Sequence, residues 1–154
     1  MLPDSAWIAS GGADQTIQTW EATSGKLIYV YRGHTAPVNA LTWITNMVVS
    51  ASGDGTVHVH KPEDGSVQQI YRGHRGTVNA VTHLYPPYNT FVASAGDDRQ
   101  VHIWNALTGK LVYQYKQHAT SIQALACSLS RVDRRVVSGS GEGMIHLWSL
   151  PDNI

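Results

Sequence analysis

Between residues 38 and 72 the chain alternates apolar and polar positions in short runs: VNALTW (38–43), MVVSAS (47–52), TVHVH (56–60) and VQQIYR (67–72). The runs are rich in β-branched and aromatic residues, too short for helices, and carry the period of two that marks half-buried strands. GDGT (53–56) and EDGS (63–66) supply tight-turn chemistry between them. The pattern predicts a four-stranded antiparallel meander, its strands called a to d in order. Along the third strand, Val57 and Val59 face one side, and Thr56, His58 and His60 the other.

The unit recurs. SGGADQTIQTW begins at Ser10, SASGDGTVHVH at Ser50, SAGDDRQVHIW at Ser94 and SGSGEGMIHLW at Ser138, in steps of 40, 44 and 44 residues. The flanks repeat in phase: SGKLIYVYRGHTAPVNAL, GSVQQIYRGHRGTVNAV and TGKLVYQYKQHATSIQAL. A period near 40 residues, with Gly-His before two of the units and Trp at the end of three, resembles the WD-repeat β-propeller family over nearly the whole chain. The Trp-Asp dipeptide itself is absent; its place is taken by Trp20-Glu21, His60-Lys61, Trp104-Asn105 and Trp148-Ser149.

The resemblance implies an all-β fold: a β-propeller of four-stranded antiparallel WD-repeat blades, about four of them, as a partial or oligomer-completed ring. The whole chain, 1–154, would form one propeller segment, with blades at approximately 1–32, 33–72, 73–116 and 117–154. Each sequence repeat would begin at the outer strand of one blade and finish at the third strand of the next. Single blades cannot bury their own faces, so neighbours supply the core.

The resemblance also implies a hydrogen-bonded tetrad in each blade, running from indole N–H to Ser hydroxyl to His to the turn Asp. The set His74, Ser94, Asp98 and Trp104 is complete. His34, Ser50 and Asp54 form a second, with His60 in place of Trp. His118, Ser138 and Trp148 form a third, with Glu142 in place of Asp. The first blade has Ser10, Asp14 and Trp20 and no histidine. Ser, His and Asp are also the members of a nucleophilic triad. A set repeated in every blade fits one active site poorly, and no G-x-S-x-G elbow is present. Mutual satisfaction of buried polar groups is the simpler account.

Composition narrows the rest. The 154 residues are 42% apolar and 14% charged, enough to bury a core. Eleven basic and eleven acidic residues cancel, so no basic field points to nucleic acid. The lone cysteine, Cys127, cannot form an internal disulfide and reads as a core residue. No apolar run reaches membrane-spanning length, and MLPDSAW does not resemble a signal peptide. The expectation is a soluble, cytoplasmic protein. His58, His102 and His146 recur two residues before the Trp position, but equivalent positions on successive blades lie too far apart to share a metal. No metal or cofactor is expected.

The function these features imply is a non-catalytic protein-interaction scaffold, not an enzyme, with loops carrying recognition. The family's usual contact face would here bear Pro37, Asn39, Thr77, Asn79, Asp97, Ser121 and Gln123, with Arg75 and Arg99 beside them. Tyr85 and Tyr88, in HLYPPYNTF, mark either a second contact loop or a stiff, self-packed turn. Strands sum to three, four, four and three, leaving both ends uncovered. Either two copies complete an eight-blade ring, or the segment is the C-terminal part of a longer propeller and needs a partner chain carrying the remaining blades, without which it is marginally stable. Two alternatives to the scaffold stand: a non-autonomous C-terminal fragment of a larger propeller, and a hydrolase using Ser94.

Overall fold

The computed structural model describes residues 6–85, 90–128 and 134–151. Among the described residues it contains fourteen strands in four consecutive meanders. The first blade is β1 (Trp7–Gly11), β2 (Ile17–Glu21) and β3 (Leu27–Tyr31). The second is β4 (Val38–Ile44), β5 (Met47–Ser52), β6 (Val57–His60) and β7 (Val67–Tyr71). The third is β8 (Val78–His83), β9 (Phe91–Gly96), β10 (Val101–Asn105) and β11 (Leu111–Tyr115). The fourth is β12 (Ile122–Cys127), β13 (Arg135–Ser140) and β14 (Ile145–Ser149). All pairings are antiparallel between neighbours in sequence. No helix among the described residues is long and apolar enough to cross a membrane. Residues 1–5, counted above in the first blade, lie outside the described residues.

The turn between the second and third strands of each blade is built the same way. Its third position adopts left-handed backbone in all four blades: Gln15 (φ 69°), Gly55 (82°), Arg99 (65°) and Gly143 (82°). Glycine takes that conformation without cost, whereas Gln15 and Arg99 do so under strain. In the second blade Asp54 Oδ1 locks the turn, accepting from Thr56 N (2.9 Å) and Thr56 Oγ1 (2.6 Å).

The core lies between blades. Ile17 and Tyr31 of the first meet Val38 and Val48 of the second. Val49, Ala51, Val57 and Val59 of the second pack with Val78, Val81, Val92 and Trp104 of the third. Ala93, Ala95, Val101 and Ile103 of the third pack with Ile122, Val136, Trp148 and Leu150 of the fourth. Each fully buried aliphatic side chain stabilises the stack by roughly 1.5–3 kcal/mol. Alternation along the strands therefore does not separate core from solvent in the inner blades. It separates the face turned to the following blade, here the forward face, from the back face turned to the preceding one, and β5 and β6 are buried throughout.

Candidate functional site

The innermost strands carry a recurring irregularity. Register shifts fall between Val38 and Ala40, between Val78 and Ala80, and between Ile122 and Ala124. The residues left over are Asn39, Asn79 and Gln123. A bulge re-aims the side chain it carries, and here it aims two of them at the next blade. Asn39 Nδ2 donates to Val78 O at 2.9 Å, and Asn79 Nδ2 donates to Ile122 O at 3.0 Å and to Asp97 Oδ1 at 3.0 Å. These asparagines are thus ties between blades as well as rim residues. Gln123 Nε2 instead donates to Ser121 Oγ at 2.9 Å.

Around them, Pro37, Asn39, Arg75, Asp97, Arg99 and Gln123 are exposed, and Thr77, Asn79 and Ser121 half-buried. Arg99 Nη1 donates to Ala119 O at 3.4 Å across the joint between the third and fourth blades. Arg75, Asp97 and Arg99 put two cations and one anion on the same rim. Tyr85 is half-buried and tilted against His83, with ring centroids 4.3 Å apart. Tyr88 lies outside the described residues.

Beneath the rim, the third blade holds an uninterrupted hydrogen-bond chain. Trp104 Nε1 donates to Ser94 Oγ (3.0 Å), whose hydroxyl bonds His74 Nε2 (2.7 Å). His74 Nδ1 donates to Asp98 Oδ2 (2.7 Å), because an ionised carboxylate can only accept. Asp98 also accepts from Arg75 N (3.3 Å) and Gln100 N (3.1 Å). Burial acts to raise the Asp98 carboxyl, but the bonds and charge of His74 and these two amides outweigh it and lower it. The order Ser–His–Asp is that of a hydrolytic triad. Ser94, however, is fully buried and already accepts from an indole, so no carbonyl carbon can approach its oxygen.

The other blades hold partial versions. His34 bonds Ser50 Oγ (2.8 Å) and Asp54 Oδ2 (2.8 Å). Burial would raise Asp54, but bonds from Thr56, His34 and the Thr35 amide hold it well below the usual carboxylate range. His60, in the Trp position, does not reach Ser50; its Nε2 is buried without a partner, and its Nδ1 turns to Lys61 O (3.3 Å). In the fourth blade Trp148 Nε1 (3.2 Å) and His118 Nε2 (2.6 Å) both bond Ser138 Oγ. Glu142 is exposed, its nearest partner Ser140 Oγ at 3.5 Å, and His118 Nδ1 is left unpartnered. In the first blade Trp20 Nε1 lies 3.3 Å from Ser10 Oγ, and Asp14 binds Thr16 N (3.1 Å) and Oγ1 (2.9 Å).

A second network escaped the sequence reading. The last residue of each outer strand, Tyr31, Tyr71 or Tyr115, bonds the strand-c histidine of the following blade. The distances are 2.7 Å to His58 Nδ1, 2.8 Å to His102 Nδ1 and 2.9 Å to His146 Nδ1. Those histidines stack on the tetrad histidines, with centroids 3.9 Å apart for His34–His58 and His74–His102 and 4.0 Å for His118–His146. His102 thus stands outside the Trp–Ser–His–Asp chain but packs flat against it. The signal was present: Tyr sits three residues before each tetrad histidine in YRGH, YRGH and YKQH. Burial pushes His58 and His102 down to about 4, aided by the neighbouring tetrad histidine, and pushes Tyr31 and Tyr71 up to about 12.

Ligand atoms of His34, Asp54 and His58 lie within 4.8 Å of one another, as do those of His74, Asp98 and His102. Neither trio suits a metal. The paired rings are within 24° and 14° of parallel, so their in-plane lone pairs do not converge. A cation about 2 Å from one nitrogen would lie far out of the other ring's plane. A polar cleft of 270 Å³ opens beside His102 and Asp98, between Arg75, Gln114 and Lys116; it is smaller than the ~300–1,000 Å³ typical of small-molecule sites.

The model of the WD domain, G-beta repeat family matches residues 1–21, 25–61, 65–105 and 109–149, most of the chain. The chain belongs to the WD-repeat family. The second match, 25–61, runs from β3 of one blade to β6 of the next, the offset between repeat and blade expected from the sequence. Among solved structures, the WD-repeat chain is similar to the computationally designed Ika4 protein, at 31% identity and a TM-score of 0.82, covering 94% of this chain and 86% of that one. It is also similar to the computationally designed Ika8 protein, at 31% identity and a TM-score of 0.80, again over 94% of this chain but over only 43% of that one. No curated protein matches the chain. WD repeats generally form non-catalytic scaffolds for protein–protein interaction, and that is the general assignment the family supports.

Proposed function

We propose that this chain is a protein-binding platform whose contact face is the rim bearing Pro37, Asn39, Arg75, Thr77, Asn79, Asp97, Arg99, Ser121 and Gln123. One observation carries the reading. The bulged asparagines tie three blades into one rigid edge, while Arg75, Asp97 and Arg99 stay exposed on it. A rigid edge with charged side chains of both signs suits a polar protein partner better than nucleic acid, which selects for a single-sign field. Catalysis at Ser94 has no accessible nucleophile to support it.

The test leaves Asn79 alone, because its amide holds two blades together. A photo-crosslinking residue placed at Asp97 identifies the partner. The charge-reversed variant Arg75→Glu/Asp97→Lys then loses capture of that partner while circular dichroism and a cooperative unfolding transition show that it stays folded. Undiminished capture by the variant would place the contact elsewhere. A serine-directed phosphonate leaves the protein unlabelled; labelling at Ser94 would favour the hydrolase.

A further inference from the structure

The two ends of the arc are the two halves of a joint that the chain makes three times internally. On the forward face, Val57 and Val59 of the second blade and Val101 and Ile103 of the third are 0% exposed. The same repeat positions in the fourth blade are Ile145 and Leu147, which are 72% and 57% exposed. Val49 and Ala93, both fully buried, correspond to the exposed Val137. On the back face, Val48, Val92 and Val136 are all 0% exposed, whereas their counterpart in the first blade, Ile8, is 55% exposed. Trp20 and Ser10, the counterparts of the buried Trp104 and Ser94, are half-buried and exposed. Among the described residues, no apolar cluster joins the fourth blade to the first.

We propose that two copies of this chain close into one ring, the forward face of each fourth blade seated on the back face of the other copy's first blade. The occupant follows from continuity with the internal joints. What covers Val101 and Ile103 is the back face of the next blade, through Val136 and Trp148. Ile8 and Trp20 carry those same positions on the first blade, and none of the named end residues is charged. Gln123 marks the same end. Its equivalents Asn39 and Asn79 reach forward to a following blade, and it turns back to Ser121. The curvature also permits continuation, since the arc superposes at a TM-score of 0.80 on 43% of the longer Ika8 chain. A head-to-tail contact closes only if its rotation closes. Two arcs joined at both ends form a twofold ring with neither end face left open. This inference does not depend on which rim residues bind a protein partner.

Sedimentation of the full chain at about 10 μM is expected to give twice the 16.8 kDa chain mass. Two variants, Leu147→Asp and Ile8→Asp, each spoil one end, and Ile145→Asp is a second forward-face variant. All three sites are exposed, and unchanged circular dichroism with a cooperative unfolding transition establishes that the variants fold; the midpoint itself should fall as the dimer is lost. Each variant alone has both joints broken and sediments as a monomer. Mixed in equal amounts, Leu147→Asp and Ile8→Asp regain one intact joint and form a heterodimer. A monomeric wild type would overturn the proposal, and assemblies larger than two chains would overturn closure. Ile8→Asp dimerising alone, or a mixture that stays monomeric, would overturn the head-to-tail pairing.

Discussion

Tyr31 stacks on His60, with ring centroids 4.0 Å apart and planes 10° from parallel, where Tyr71 stacks on Trp104 and Tyr115 on Trp148. The imidazole keeps the stacking role of the indole and loses its bonding role, because it is too short to reach Ser50.

His60→Trp should therefore stabilise the protein. The indole N–H would donate to Ser50 and remove a buried, unpartnered nitrogen, a gain of about 1 kcal/mol. The urea midpoint is expected to rise with an unchanged m-value. A midpoint that stays or falls would mean that indole overpacks the site.

Glu142→Asp should repair the fourth blade. Asp54 and Asp98, at the same offset from the tetrad serine, accept from their histidines at 2.8 and 2.7 Å, whereas Glu142 leaves His118 Nδ1 unpartnered. A hydrogen bond to a charged group is worth about 1.5–3 kcal/mol. Urea unfolding at pH 7 should show the gain. Because a bonded carboxylate has a depressed folded-state pKa, the gain should shrink as pH falls through the carboxylate range.

Tyr71→Phe keeps the stacking on Trp104 but strands His102 Nδ1 in a buried setting. The loss should be about 1–3 kcal/mol. Tyr115→Phe should lose less, because Tyr115 and His146 are half-buried and water can replace the hydroxyl. Equal losses in the two variants would contradict the cross-blade network.

Stability should fall on acidification before any carboxylate titrates. Burial holds His58, His60 and His102 at about 4 in the folded chain, against about 6.5 when unfolded. Below pH 6.5 the unfolded chain takes up protons that the folded chain refuses, so unfolding is favoured progressively down to about pH 4. Under that point these histidines add no further slope, and the depressed Asp54 carboxyl continues the loss. Urea midpoints measured from pH 7.5 to 4 should decline, and the His60→Trp variant should decline less steeply.

Much of this architecture was legible in the residues alone. Four in-phase copies of one pattern predicted four meanders and the three-four-four-three distribution of strands. The tetrad could be placed because its members stand at constant offsets from turns and strands, and a constant offset along a strand is a constant position in space. Substitution within the tetrad was visible too, at His60 and Glu142, but its consequence was not. Whether glutamate can stand in for aspartate depends on a difference of one methylene against a bond near 2.7 Å.

What the sequence by itself determined is the repeating unit, since strand period, turn chemistry and spacing are local properties of the chain. Only the tertiary structure decided how the units meet. It bulged the first strands at Asn39 and Asn79 so that their amides cross to the next blade. It laid Tyr31, Tyr71 and Tyr115 on the following blade's rings, and it left Ile8, Ile145 and Leu147 uncovered at the two ends. These contacts join residues about 30 to 40 positions apart, through distances set by how twisted sheets stack, and no local pattern encodes that stacking.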